Sequence, residues 1–309
     1  MKLFTEIVDI KKDSQDIVVA LGTFDGLHIG HQQIIGEAVK WAVRHNGTSV
    51  VFTFSNHPLS LIAPHASPKL IYSNISKVRL IEEMGVDLLF NIPFTPQLLQ
   101  LTPEEFIDLL HRNLKPRQII VGPNYSFGFK GKGTPEMLEQ EGSRFGFTVK
   151  VPSAVTKDGM VVSSTVIRQL LSEGHVKMAS ELLGRQYALY DMKVVTGERR
   201  GRSLGFPTAN IEIPSSLIVP SDGVYAVKVR YKSVFYIGVA NIGSNPTFET
   251  ISRRIEVHLL DFSEDIYGQT IDILFFDKLR NEIRFDSLEE LQVQISKDVK
   301  SAAAYFSNK

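Results

Sequence analysis

A run of five apolar residues that leads directly into a glycine-rich turn is the feature that most constrains how this chain can fold. Residues 17–21 are apolar throughout, and residues 22–30 are rich in glycine. Apolar side chains then recur at helical spacing as far as Ala42. This order predicts a buried strand, a tight turn and a helix whose N-terminus can face an anion.

The turn carries two histidines three residues apart, His28 and His31. If the first helical turn includes both, their side chains share one face of the helix. Two imidazoles there can hydrogen-bond phosphate oxygens and stabilise the charge that shifts during phosphoryl or nucleotidyl transfer. The alternatives are a turn with incidental histidines and a His-x-x-His metal site. The sequence has no cysteine and no third ligand nearby to complete such a metal site.

Length and composition bound the class of protein. A chain of 309 residues predicts two domains, each with its own core. Lysine plus arginine and aspartate plus glutamate number 34 each, so no basic field favours nucleic acid or a membrane surface. The absence of cysteine excludes disulfides and fits a reducing compartment. With neither a signal peptide nor an apolar run near the roughly 20 residues of a membrane span, we expect a soluble, cytoplasmic protein.

Strands and helices alternate through the first half of the sequence. Predicted strands cover residues 48–54, 87–94, 118–122 and 148–155, and predicted helices cover 74–84, 102–113 and a segment that opens at 134. This alternation implies a parallel sheet, in which ligands bind at the carboxyl ends of the strands.

Two loops at those strand ends carry candidate ligand-binding residues. They are Asn56, His57 and Pro58 after the second strand, and Asn124, Tyr125 and Phe127 after the fourth. Asn124 offers a donor and an acceptor to a ribose or a flavin, and the two aromatic side chains offer flat faces to a ring. The alternatives are a plain proline turn in the first loop and core aromatics in the second.

A third candidate opens the helix that ends at Glu173. Ser163 or Ser164 can cap this helix, whose N-terminus favours phosphate. Arg168 lies one turn inside, where its planar guanidinium can bind phosphate through two hydrogen bonds. A capped surface helix with a solvated arginine is the alternative.

Short strands replace the alternation after Gly184. They are predicted at residues 192–196, 210–213, 224–231, 234–240, 254–260 and 270–276, and one amphipathic helix at 288–306 ends the chain. Six strands at this spacing suggest a small antiparallel barrel with a helix packed on it. We place the two domains at residues 1–184 and 187–309.

The second half contains a glycine-rich loop whose backbone N–H groups can bind phosphate. Its residues Gly197, Gly201, Arg202 and Gly205 precede Thr208 and Asn210. The last two are two residues apart, so on an extended segment they point the same way. A hydroxyl and an amide oxygen are hard ligands that suit Mg²⁺. A hairpin loop is the alternative.

The segments at residues 22–31 and 201–210 resemble signatures of one family. The first is similar to the nucleotide-binding signature of the bacterial riboflavin kinase/FAD synthetase family, and the second to its riboflavin kinase signature. Residues 121–128 and 163–168 also match the family pattern. The resemblance implies an α/β fold: an N-terminal Rossmann-like nucleotidyltransferase domain with a parallel sheet, and a C-terminal antiparallel β-barrel with a terminal helix.

The resemblance also implies roles for particular residues. Catalysis is expected from His28, His31 and Arg168 in the first half and from Glu256, as the base near the riboflavin 5′-hydroxyl, in the second. ATP and its phosphates are expected at Gly22, Phe24, Asp25, Gly26, Gly30, Ser163, Ser164, Thr165, Gly197, Gly201, Arg202 and Gly205. The flavin is expected at Asn56, His57, Pro58, Asn124, Tyr125, Phe127, Asn241 and Arg280, and Mg²⁺ at Thr208 and Asn210.

The expected function is the synthesis of FAD from riboflavin. The C-terminal domain would phosphorylate riboflavin with ATP, and the N-terminal domain would transfer AMP from ATP to FMN. The alternatives are a monofunctional FAD synthetase with a weak or inactive kinase and a non-catalytic flavin sensor. Met192 stands where the family usually has glycine, and Asn245 where it often has a basic residue, so the kinase is the less secure activity. We expect a monomer or weak homo-oligomer whose partners are flavins and ATP.

Overall fold

The chain divides into two compact units, Met1–Ser164 and Thr165–Lys309. The structure, a computed structural model, describes residues 1–10, 16–197, 205–246 and 251–307. Within these ranges, no helix is both long enough and apolar enough to cross a membrane.

The first unit is built around a six-stranded parallel sheet with the order β1-β4-β3-β2-β5-β6. Its strands are β1 Lys2–Phe4, β2 Ile17–Leu21, β3 Thr48–Phe54, β4 Leu88–Ile92, β5 Gln118–Ile120 and β6 Thr148–Lys150. Its helices are α1 Ile29–His45, α2 Leu59–Ile62, α3 Asn74–Glu82, α4 Pro96–Gln100, α5 Pro103–Leu114 and α6 Pro135–Phe145, and a hairpin follows with strands β7 Thr156–Lys157 and β8 Met160–Val161. The predicted parallel sheet is confirmed.

Strand β2 occupies the point where the strand order reverses, because it pairs with β3 on one side and with β5 on the other. Ligands of open α/β sheets bind at such a point. All five residues of β2 are buried, as expected for a strand covered on both faces. The edge strand β1 was not predicted, because three residues carry no usable periodicity.

One core of the first unit lies between the sheet and helix α5. Phe106 of α5 packs against Phe52, which stacks on Phe90. The helix begins where the sequence predicts, because Thr102 and Glu105 form a reciprocal capping box.

The second unit contains a closed antiparallel barrel with the order β10-β13-β12-β11-β14-β9. Its strands are β9 Ala188–Val195, β10 Ala209–Ile211, β11 Gly223–Tyr231, β12 Val234–Pro246, β13 Ile251–Leu259 and β14 Thr270–Arg280. The predicted barrel is confirmed. So is the terminal helix, α9 Leu288–Ser307, which buries Ala302 in a cluster with Val224, Ala226 and Val239.

Two helices precede the barrel and pack against it: α7 Ser164–Glu173 and α8 Val176–Leu183. The carbonyl of Leu171 accepts a hydrogen bond from the Ser221 amide, and Ser180 Oγ accepts one from the Tyr187 amide. The boundary between the two compact units, after Ser164, therefore lies closer to the N-terminus than the boundary at residues 184–187 that we predicted.

Met192 lies in the barrel core. Its side chain is 5% exposed, and its backbone partner on β14 is Ile271, which is also buried. Its φ angle is not in the left-handed region that favours glycine; among its neighbours, Asp191 has a φ of 56°. The side chain therefore fills space inside the barrel.

We predict that Met192→Gly lowers the free energy of unfolding by about 2–5 kcal/mol, because it leaves a cavity in a packed core. Denaturant unfolding checks this, with Met178→Gly as a comparison at a helical position that is 41% exposed; the comparison variant should show only the helical cost of glycine, about 1 kcal/mol. Equal stability of Met192→Gly and the wild type would contradict the core assignment.

Candidate active sites

The turn between β2 and α1 has an uncommon backbone conformation. Phe24, Gly26 and Leu27 have φ angles of 50°, 81° and 44°, a region that side chains other than glycine rarely adopt. Phe24 and Leu27 are both 0% exposed, so burial of their side chains stabilises this conformation. At Gly22 a Cβ atom would lie 2.8 Å from the Phe24 ring. The side chain of Phe24, expected near ATP, is thus enclosed within the fold and shapes the turn.

Three other segments hold the turn in place. Thr53 Oγ1 donates to the carbonyl of Thr23 at 3.0 Å, and Ser164 Oγ donates to the carbonyl of Asp25 at 2.8 Å. Asp25 is buried, and its Oδ1 accepts from the Ile71 amide at 3.1 Å. Two residues predicted to bind ATP, Asp25 and Ser164, are therefore brought together.

The two histidines stack on each other at the start of α1. His28 is the N-cap residue, and its Nδ1 accepts from the His31 amide at 3.3 Å. The ring centroids are 3.6 Å apart. A Cβ on Gly30 would lie only 3.2 Å from the His28 ring, so glycine leaves room for the stack. Within the described chain, the buried Nδ1 of His31 has no hydrogen-bond partner.

Burial keeps both imidazoles neutral at pH 7. It lowers the pKa of His28 to about 4. It also lowers the pKa of His31 well below 6.5, and the neighbouring His28 and Lys77 add to that effect. A bound phosphate would favour the charged form of each ring, because an opposite charge raises the pKa of a histidine.

A pocket lies beside this turn. It is lined by Thr23 and Asp25 of the turn, by Asn56 and His57 after β3, and by Lys77 of α3. The segment predicted to bind flavin thus lies next to the turn predicted to bind phosphate. Sequence reasoning missed Lys77; the available signal is a lysine in the first turns of a helix, where a cation opposes the helix dipole.

Several predicted flavin contacts have other partners in the structure. The Nδ2 of Asn56 donates to the Phe94 carbonyl at 3.1 Å, and its Oδ1 accepts from the Phe94 amide at 2.7 Å. Phe127 is buried, with its ring centroid 5.5 Å from that of Phe106. Tyr125 stacks on Phe127, and Asn124 is exposed in the same loop. Their roles toward flavin stay predictions.

The remaining predicted residues of the first site lie at two helix starts. Pro58 is the N-cap residue of α2, and His57 Nδ1 accepts from the Leu59 amide at 3.1 Å. Ser163 immediately precedes α7, whose first turns contain Thr165 and Arg168. The predicted helix over these residues is present.

A row of polar residues crosses three neighbouring strands of the barrel. Glu256 of β13 lies opposite Asn210 of β10 and also opposite Asn241 of β12. Directly opposite residues of antiparallel strands point to the same face. Because Ile255 and Val257 are fully buried, this row lies on the outer face of the barrel.

Gly197 brings the chain after β9 against this row. A Cβ on Gly197 would lie 2.2 Å from Nδ2 of Asn210, so only glycine permits the approach. Thr208, two residues before Asn210, is half-buried, and the preceding Pro207 carbonyl lies 2.8 Å from Nδ1 of His258. The structure thus brings Gly197, Asn210 and Glu256 together, and their roles stay predictions.

Other predicted residues of the second site lie apart from this row or outside the described residues. Gly205 adopts a left-handed φ of 83°. Gly201, Arg202 and the side chain of Asn245 lie outside the described residues. The guanidinium of Arg280 forms three hydrogen bonds to Asp298: Nε donates to Oδ1 at 2.9 Å and to Oδ2 at 3.1 Å, and Nη2 donates to Oδ2 at 2.8 Å. Arg280 therefore attaches α9 to the barrel, and its predicted contact with flavin remains untested.

Comparison with known proteins identifies a family model for each half of the chain. The protein-family model described as FAD synthetase matches residues 10–166, and the one described as riboflavin kinase matches residues 183–306. A bifunctional riboflavin kinase/FMN adenylyltransferase from Bacillus subtilis is 38% identical, over 97% of this chain and 95% of its own. The chain belongs to this bifunctional family. The members from Haemophilus influenzae and Escherichia coli are each 35% identical, over 100% and 99% of this chain and 100% and 98% of theirs.

The fold of the whole chain also has a solved relative. A crystal structure from Streptococcus pneumoniae, named a macrolide-efflux protein, has a TM-score of 0.87 and 33% identity, and the match covers 98% of this chain and 99% of that one. Its name describes that protein, and the similarity supports the same fold for this bifunctional chain.

We predict that Gly197→Ala abolishes most riboflavin phosphorylation, because the added methyl group would displace the Asn210 amide. Adenylyl transfer to FMN by the same protein is the internal control and should keep its wild-type rate. Chromatographic separation of FMN and FAD measures both reactions. A kinase rate equal to that of the wild type would show that the Asn210 position is unimportant.

Proposed function

We propose that each unit carries one step of FAD synthesis on the site just described. The chain is a bifunctional transferase: it phosphorylates riboflavin with ATP to give FMN, and it transfers AMP from ATP to FMN to give FAD and pyrophosphate. The observation that best supports the site assignment is the stacked pair of His28 and His31 at the N-terminus of α1. Held by a turn with three external hydrogen bonds, this pair is preorganised for a polyphosphate.

In adenylyl transfer, a phosphate oxygen of FMN attacks the α-phosphorus of ATP, and the bond to pyrophosphate breaks. We assign the triphosphate to the backbone N–H groups at the start of α1, where the helix dipole favours negative charge. His28 and His31 would stabilise the charge that passes to pyrophosphate. Ser163, Thr165 and Arg168 at the start of α7 are proposed to bind the triphosphate, the guanidinium through paired hydrogen bonds. The step needs no covalent enzyme intermediate, since positioning and charge stabilisation suffice.

In riboflavin phosphorylation, Glu256 is proposed to accept the proton of the 5′-hydroxyl as that oxygen attacks the γ-phosphorus of ATP. The hydroxyl of Thr208 and the amide oxygen of Asn210 fit Mg²⁺, because both are hard oxygen donors and Gly197 fixes the position of the amide. When bound, the ion would neutralise charge on the ATP phosphates. Asn241, opposite Glu256, is placed to bind the flavin side of the substrate.

The remaining expectations concern the setting of the enzyme. We propose that it acts in the cytoplasm on free flavins and ATP, as a monomer or weak homo-oligomer. The absence of cysteine and the balanced charge are consistent with this setting. Light scattering of the purified protein would determine the oligomeric state.

We predict that His28→Ala and His31→Ala each lower FAD formation from FMN by about 10²-fold or more, the effect of losing one group that stabilises transition-state charge. FMN formation from riboflavin should continue at the wild-type rate. The matched control is His65→Ala, which removes an exposed histidine of the same unit. Wild-type FAD formation in both single variants would refute the assignment.

For the kinase, Glu256→Gln should lower riboflavin phosphorylation by about 10²- to 10⁴-fold, since glutamine keeps the shape of the side chain but cannot accept the proton. Adenylylation of added FMN should be unaffected. The control is Glu264→Gln at an exposed position of the same unit. A loss of less than tenfold would remove Glu256 from the role of base.

A further inference from the structure

Lys77 occupies a position that helix stability does not explain. Lys77 is the fourth residue of α3, a helix that Ser73 caps. Its ammonium donates a hydrogen bond to the carbonyl of Phe54 at the end of β3. Burial lowers the pKa of Lys77 to about 8. A desolvated cation near the positive end of a helix dipole is unfavourable unless another group offsets the cost.

The ammonium has hydrogen-bonding capacity to spare. It carries three N–H donors, and Phe54 O is its one hydrogen-bond acceptor within the described chain. The carboxylate of Asp25 is near enough to raise the pKa of Lys77, but one of its oxygens accepts from the Ile71 amide. Donors that line an open pocket suit an anionic ligand.

The surroundings of the Lys77 ammonium indicate which anion could bind there. The pocket joins the turn that precedes the histidine pair to residues 55–57, the segment predicted to bind flavin. The charge of Lys77 also reaches His31, whose pKa it helps to lower. A ligand here would therefore lie between the flavin segment and the site of adenylyl transfer. The phosphate group of the flavin substrate is an anion that fits this place.

We propose that Lys77 binds the phosphate group of FMN and positions it beside the histidine pair for attack on ATP. This inference rests on the proposed adenylyl-transfer site. Lys77 keeps its proton throughout: the FMN oxygen forms the new bond to the α-phosphorus as the bond to pyrophosphate breaks. Binding of the phosphate group by Lys77 would also favour FMN over riboflavin, which has no phosphate group for the ammonium to bind.

A pH dependence follows from the same geometry. Asp25 of the turn, His31 of α1, His57 after β3 and Tyr72 before α3 are the titratable groups that face Lys77. Because the pKa of Lys77 is lowered to about 8, the ammonium loses its charge as the pH rises through that value. We expect kcat/KM for FMN to fall over this range in the wild type.

The test compares Lys77→Met and Lys77→Arg in the full chain, with Lys40→Met, at an exposed position of α1, as the control. Lys77→Met should raise the KM for FMN by about 10- to 100-fold, as expected for one lost hydrogen bond to a charged group. The KM for ATP and inhibition by lumiflavin, a flavin without a phosphate, should not change. Lys77→Arg should restore most of the affinity and remove the fall in kcat/KM above pH 8.

Other outcomes overturn the inference. A higher KM for ATP alone would place the ammonium on the triphosphate, and an equal loss of lumiflavin inhibition would show a packing role. If circular dichroism shows that Lys77→Met does not fold, the pH profiles of kcat/KM for FMN in the wild type and in Lys77→Arg decide: identical profiles refute the proposal. Failure of the adenylyl-transfer site itself is recognised separately, through unchanged activity of the His28 and His31 variants.

Discussion

The hydrogen bonds that reach the turn after β2 from Thr53, Ile71 and Ser164 come from segments far away in sequence. Left-handed backbone at Phe24 and Leu27 costs about 1–3 kcal/mol at each residue. Complete burial of both side chains and the external hydrogen bonds offset that strain. The histidine pair follows this turn directly, so its position at the start of α1 depends on packing elsewhere in the unit.

Burial sets the electrostatics of the first site before any ligand binds. His28 and His31 are neutral because desolvation lowers the pKa of each. Desolvation also lowers the pKa of Lys77, so its ammonium loses a proton more readily than an exposed lysine does. An incoming phosphate reverses the balance, since an anion favours the protonated form of all three groups. If the proposed substrates bind here, the site would gain positive charge as they supply negative charge.

The barrel aligns polar side chains from strands that are distant in sequence. Closure through the β9–β10 and β9–β14 pairs fixes the register of every strand. That register places Asn210, Glu256 and Asn241 in one row on the outer face. The ion pair of Arg280 with Asp298 attaches α9 to the barrel.

Local signals were enough to predict the strand–turn–helix unit, the capping box at Thr102 and the barrel strands, because periodicity and capping act over a few residues. His28 was singled out by its place in the glycine-rich turn, whereas Glu256 was named only because the resemblance to the family implies a base there. Tertiary structure alone decided that Asn56 pairs with Phe94, that Phe127 enters the core and that Lys77 donates to the Phe54 carbonyl. Spacing along a strand or helix tells which residues share a face, but the partner on that face is chosen by packing between distant segments.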